Sequence, residues 1–168
     1  GLCFCAQYTI LLLFAVCGAV PTDLCYNHSR IKTNQEMDIV TVDRQKVLDA
    51  FAAYIRPYDV QDPKVSLKIH HTYRVAALCE QIGRSIALEG TALDLAWLCG
   101  MLHDVGRFEQ LRRFGTFDDS KSIDHARAGV QVLFEQGHIR DYLDDDSEDA
   151  MLRTAVEWHS AYRLPDGL

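Results

Sequence analysis

Five residues in this sequence have types and settings suited to holding a cation: His71, His103, Asp104, His125 and His159. Imidazole nitrogen and carboxylate oxygen together suit several divalent transition metals. His71 stands four residues before Val75, seven before Leu78 and eleven before Ile82, which puts it on the apolar face of a helix. Its neighbour His70 aligns with Arg74 and Gln81 and is expected to face water. His103 and Asp104 follow an almost wholly apolar run, Leu95 to Leu102. A carboxylate there is costly unless it is paired or bound to a metal. His159 follows Leu152 by seven residues, Ala155 by four and Val156 by three, again on an inward stripe. His125 opens a helix from which its ring can reach across a bundle.

Each residue also has a plainer reading. A lone inward histidine is ordinarily a hydrogen-bonded core residue, and a histidine at a helix start is an ordinary polar one. A His-Asp dipeptide alone means little in a chain rich in both. Position carries the weight. Histidines from four separate elements, three of them inward or beside a buried aspartate, all need partners, and a shared metal supplies them together. Two rivals stay open: a structural metal site closed to water, and a metal-free bundle whose histidines fill polar gaps. His28 and His138 lack such a setting and read as surface residues.

Helical periodicity dominates the stretches that must position these side chains. Val47, Leu48, Phe51 and Ile55 form the stripe of a first helix, stopped near Pro57. Asp62-Pro63 supplies a cap and a proline at the first helical position of a long helix running to about Leu88. Val75, Leu78, Ile82 and Ile86 face inward on it. Gly90 breaks that helix, and Thr91-x-x-Asp94 reads as a variant capping box for the next. That helix delivers His103-Asp104 at its C-terminal end. Residues 106–123, with Gly106, Gly115, Phe108, Phe114 and Phe117, read as a structured loop. Asp124 or Ser122 caps a helix from His125 to Gln136, closed by Gly137, and Asp144 to Ser147 opens a last helix to about Tyr162. The best strand signal, Ile39 to Val42, is short, and there are no internal repeats. The expected fold is all-α, an irregular bundle of five to six helices.

A chain of 168 residues has room for one domain with an adequate core. With 17 basic and 24 acidic residues its net charge is −7, which argues against nucleic-acid polymers and anionic membranes as partners. Small phosphorylated substrates stay open, because a local basic pocket or a metal offsets the global charge. Cys79 and Cys99 sit in apolar helical contexts and read as core packing, which suits a reducing compartment. Cys3, Cys5, Cys17 and Cys25 crowd the start without zinc-finger spacing. Ile10 to Val16 is too short to span a bilayer and resembles the apolar part of a signal peptide, without its basic flank. It reads as a clipped signal, as sequence upstream of the true start, or as a buried segment. Residues 1–36 are therefore taken as a signal-like or non-native extension and linker, and residues 37–168 as the domain, cut short at its C-terminus. The expected location is cytoplasmic, or exported if residues 1–20 are a signal.

The order His71, His103-Asp104, His125, His159, with the strings His71-Thr-Tyr-Arg-Val75 and Leu102-His-Asp-Val-Gly-Arg-Phe108, resembles the HD-domain superfamily of metal-dependent phosphohydrolases. The likeness covers about residues 43–168. It implies a metal set of His71, His103 and Asp104 plus a distal aspartate on a later helix. Asp166 lies in a Pro-Asp-Gly turn and is not assigned that role, which leaves three protein ligands for this ion. By the same likeness His125 and His159 serve a second ion, with Asp104 bridging both. One or two divalent ions are implied: manganese, iron, cobalt, nickel, zinc or magnesium.

The implied reaction is hydrolysis of a phosphate ester, by a phosphomonoesterase or phosphodiesterase acting on a nucleotide or other small phosphorylated metabolite. A metal lowers the pKa of water from about 15.7 toward about 7 and absorbs charge on the phosphoryl oxygens. Asp104 would orient the water, and Arg107 would clamp a phosphate oxygen with its planar fork. The plainer reading of Arg107 is a cation at a helix C-terminus. Lys121 and Arg127 are further candidates for substrate contact, whereas Arg112 and Arg113 read as solvated. The alternative within this resemblance is a catalytically degenerate HD module that binds a nucleotide or a protein partner.

Overall fold

The Asp43 carboxylate accepts hydrogen bonds from the amides of Gln45 and Lys46 and so starts helix α1, Arg44–Ile55. The structure, a computed structural model, describes residues 41–161. Asp62 caps α2, Pro63–Ser85, with Pro63 in the first turn where its missing N–H costs nothing. Then follow α3, Gly90–Leu102, and α4, Val105–Phe114. A 3-10 turn at Asp119–Lys121 leads to α5, His125–Val130, which runs on through a π turn at Gln131–Glu135. A single turn, α6, Ile139–Tyr142, precedes α7, Asp149–Trp158. Among the described residues there is no strand, so the fold is all-α: six helices longer than one turn and one single turn.

Helix α3 is the centre of the bundle. Leu93 and every residue from Leu95 to Leu102 are buried, as expected of a helix that is apolar all round. Its main neighbour is α2, and Gly100 sets how close the two lie. A Cβ at Gly100 would stand 2.5 Å from the Ala76 Cα, so the two backbones touch at this point. The same device joins α4 to α5: a Cβ at Gly106 would stand 2.1 Å from the His125 carbonyl oxygen and 2.4 Å from the Gly129 amide. These two glycine contacts draw α2 and α5 in on either side of the junction between α3 and α4.

Several boundaries differ from the sequence reading. Residues 105–114 form a helix rather than the start of a loop, with Val105, Gly106, Phe108 and Gln110 buried and Gly115, at φ 66°, ending it. Gly106 near its start and Gly115 at its end made this stretch read as irregular. The long helix ends at Ser85, short of Leu88, and Ile86 is 41% exposed instead of inward. Thr91 is not the N-cap: α3 begins at Gly90 with Glu89 at the cap position and no side-chain cap bond, and Asp94 accepts from Arg44 at 2.8 Å. The last helix begins at Asp149, after the acidic run has formed a turn in which Asp145 accepts from the Ser147 amide, and it ends at Trp158.

Cys79 and Cys99 are buried, as core packing requires, and His70 and His138 face outward. No helix among the described residues is long and apolar enough to cross a membrane. The readings made of residues 1–40 and of Asp166 lie outside the described residues.

Candidate metal centre

Asp104 occupies the junction between α3 and α4 and is 3% exposed. Four imidazoles converge on it from four elements: His71 from α2, His103 from the end of α3, His125 from the first position of α5, and His159 from the end of α7. They divide evenly between its two oxygens. Oδ2 lies 3.5 Å from Nε2 of His71 and 3.5 Å from Nε2 of His103. Oδ1 lies 3.5 Å from Nε2 of His159 and 3.6 Å from Nε2 of His125. Within each pair the Nε2 atoms face one another, at 3.2 Å for His71 and His103 and at 3.0 Å for His125 and His159.

The partners of the other ring nitrogens decide the tautomers. His103 Nδ1 is 2.8 Å from the Gly100 carbonyl oxygen, and His159 Nδ1 is 2.7 Å from that of Val156. A carbonyl only accepts, so each Nδ1 carries the proton and donates. His125 Nδ1 likewise donates to Asp119 Oδ2 at 2.6 Å. In the neutral rings all three Nε2 atoms therefore present lone pairs. His125 and His159 aim theirs at each other with no proton between them, an unfavourable contact that a shared cation resolves.

Burial, reinforced by neighbouring His103, pushes the His71 pKa down to about 4. Burial and neighbouring His159 do the same to His125, also to about 4. Both rings are thus neutral at pH 7, the form that binds metal. Burial opposes ionisation of Asp104, but His103, His159 and Lys68 outweigh it and hold its carboxyl well below the usual range. The donors fall into two sets, His71 with His103 and Asp104, and Asp104 with His125 and His159. Within each set the ligand atoms all lie within 4.8 Å of one another. Mixed imidazole and carboxylate donors of this kind fit one divalent ion or two, with Asp104 shared.

A supporting layer surrounds the cluster. Asp119 joins two parts of it, since Oδ2 holds His125 while Oδ1 accepts from Arg107 Nη1 at 2.6 Å and from Gln110 Nε2 at 2.7 Å. Gln110 is fully buried and also donates to the Ser122 hydroxyl and the Ile123 carbonyl, which pins the loop that carries Asp119. Arg107 Nη1 donates further to Gln110 Oε1 and to the Phe117 carbonyl, both at 2.8 Å. Its Nε lies 3.6 Å from Asp104 Oδ1, buried and without a hydrogen-bond partner. Lys68 Nζ donates to Asp104 Oδ2 at 2.8 Å and lies 5.3 Å from the centre of the Phe117 ring.

The structure thus brings together His71, His103, Asp104, His125, His159 and Arg107. It places the other two candidates for substrate contact elsewhere. Lys121 is 76% exposed and paired with Asp118 at 2.9 Å. Arg127 is exposed on α5 and lines a surface depression with Arg113, Gln131 and Glu135. Each belongs to a short element whose inward positions are taken by other residues. Arg112 and Arg113 are exposed, as expected, and both pair with Glu109. Lys68, Gln110 and Asp119 were missed. Lys68 could have been found, because it lies three residues before His71 on the same helix face. Asp119 had no periodic signal to mark it.

The sequence profile of the HD domain matches residues 69–164. No curated protein and no solved structure matches the chain. Because the matched stretch spans more than half of the chain and takes in all five clustered side chains, this protein belongs to the HD domain family, within the superfamily of metal-dependent phosphohydrolases.

Proposed function

We propose that this protein hydrolyses a phosphate ester of a nucleotide or other small metabolite at a centre of one or two divalent cations held by His71, His103, Asp104, His125 and His159. The observation that carries this reading is the sharing of Asp104, each of whose oxygens faces its own pair of imidazole Nε2 atoms. Cations bound there supply Lewis acidity and a nucleophile at neutral pH. The chain's own residues do the rest. Asp104, ionised and held between two ligand pairs, orients the attacking water. Arg107 offers an Nε donor that makes no hydrogen bond in the protein, 3.6 Å from Asp104 Oδ1, to a phosphate oxygen.

The shape of the site supports catalysis over a closed structural site. His103, Asp104, His125 and His159 are buried, whereas the side chains of His71, Lys68 and Arg107 keep 16–18% exposure and form an open edge. A structural site would be closed there.

The test is metal analysis of the purified protein, followed by a panel of phosphomonoesters and phosphodiesters with each metal added back. Metal-dependent turnover of at least one ester is expected. His103→Ala or Asp104→Ala should remove both metal and turnover while most of the helicity survives. Full metal stoichiometry in both variants would sink the assignment, and bound metal without any turnover would favour a binding module.

A further inference from the structure

The charged groups around Asp104 come close to balance before any divalent ion is counted. The Lys68 ammonium pairs with Asp104 Oδ2 at 2.8 Å, and the Arg107 guanidinium pairs with Asp119 Oδ1 at 2.6 Å. Two cations face three carboxylates, because Asp124 lies beside Asp119 and His125. The imidazoles bind metal as neutral ligands. The protein therefore brings at most one net negative charge to the centre, and a bound divalent ion leaves it positive. An anion has to make up the difference.

Lys68 is placed to help receive it. Its side chain is 16% exposed at the open edge, and an ammonium on a flexible four-carbon stem can change partner at little cost. A divalent ion that takes Asp104 Oδ2 repels the ammonium from that oxygen and leaves it to pair with an incoming anion. A phosphomonoester carries about −1.5 to −2 at pH 7, whereas a diester carries a single charge.

We infer that Lys68, together with Arg107, forms an anion seat beside the metal cluster that selects a phosphomonoester dianion over a phosphodiester monoanion. This rests on the metal-centre reading and names the substrate class within it.

The test titrates Mn2+ into the full chain by calorimetry at about pH 8, where phosphate is a dianion. Parallel titrations contain no anion, inorganic phosphate, or dimethyl phosphate as a monoanionic diester. Phosphate should tighten Mn2+ binding about tenfold or more, while dimethyl phosphate changes it by less than about twofold. Lys68→Met should keep the Mn2+ stoichiometry and lose most of the phosphate effect, and Lys68→Arg should restore part of it. Equal enhancement by dimethyl phosphate, or an undiminished phosphate effect in Lys68→Met, overturns the inference. Equal enhancement on the unmodified chain overturns the inference without any variant, and Lys68→Gln takes the place of Lys68→Met should the latter not fold. Mn2+ binding that ignores phosphate refutes only this inference. A chain that binds no Mn2+ refutes the metal centre, and the anion seat with it.

Discussion

Replacing Gly106 by alanine should cost the protein one half of its metal centre before it costs the fold. The new Cβ would lie 2.1 Å from the His125 carbonyl oxygen and 2.4 Å from the Gly129 amide nitrogen. Both are backbone atoms, so no side-chain rotation relieves the clash. Ordinary contact begins at 3.4 Å, so α4 and α5 must separate by about 1.3 Å, the difference between 3.4 and 2.1. Overpacking of this kind costs about 1–3 kcal/mol, which lowers Tm by several degrees in a domain of this size. Metal sites tolerate only about 0.2 Å of error in ligand distance. His125 moves with its own carbonyl, so its subsite with His159 should fail while that of His71 and His103 survives. Thermal melts with and without EDTA, together with metal content after dialysis, read both effects. Gly129→Ala is the control, because the one tight contact of its Cβ is a side-chain methyl, Val156 Cγ1 at 3.1 Å, while the Gly106 amide nitrogen stays at an ordinary 3.5 Å. If Gly106→Ala keeps parental metal content and melts within about 2 °C of the parent, the claim that this glycine sets the approach of His125 is wrong.

Asp119→Asn keeps the size of the side chain but removes the charge that fixes the His125 tautomer. Metal affinity should fall about 10–100-fold, and the chelated protein should melt lower because one of the donors held by the two carboxylate oxygens loses its acceptor; parental affinity by calorimetry would refute this role. The pH dependence of the chelated protein follows from His71 and His125, whose pKa values drop from 6.5 to about 4 on folding. The unfolded chain binds more protons between those values, so stability is greatest above pH 6.5 and declines as pH falls toward 4. A Tm unchanged between pH 7 and pH 5 would contradict the burial of these rings. Gly100→Ala should destabilise as Gly106→Ala does, but by parting α2 from α3, so His71 and His103 are the ligands that lose register. Metal analysis that finds the same subsite lost in both variants would refute that distinction.

Local chemistry was legible in the chain. Caps at Asp62 and Asp124, the apolar run of α3 and the inward registers of His71 and His159 all depend on neighbours a few residues away, and a helical period records such neighbours directly. The family likeness rested on the same short strings. Where composition disguised the period, as in α4 with Gly106 near its start and Gly115 just past its end, the reading went wrong.

Tertiary structure decided which polar residues from distant elements meet. Arg107 turns toward Asp119 because Gln110, buried beneath it, pins the loop that carries this carboxylate. Lys121 and Arg127 carry the same charge as Lys68 but project from other faces. Charge type is written in the sequence, whereas distance from Asp104 depends on how helices cross, and two glycines at backbone contact set those crossings. Sequence alone therefore determined the ligand types and the faces that hold them. Only packing decided that four rings share one carboxylate, because that arrangement comes from contacts between residues far apart in the chain.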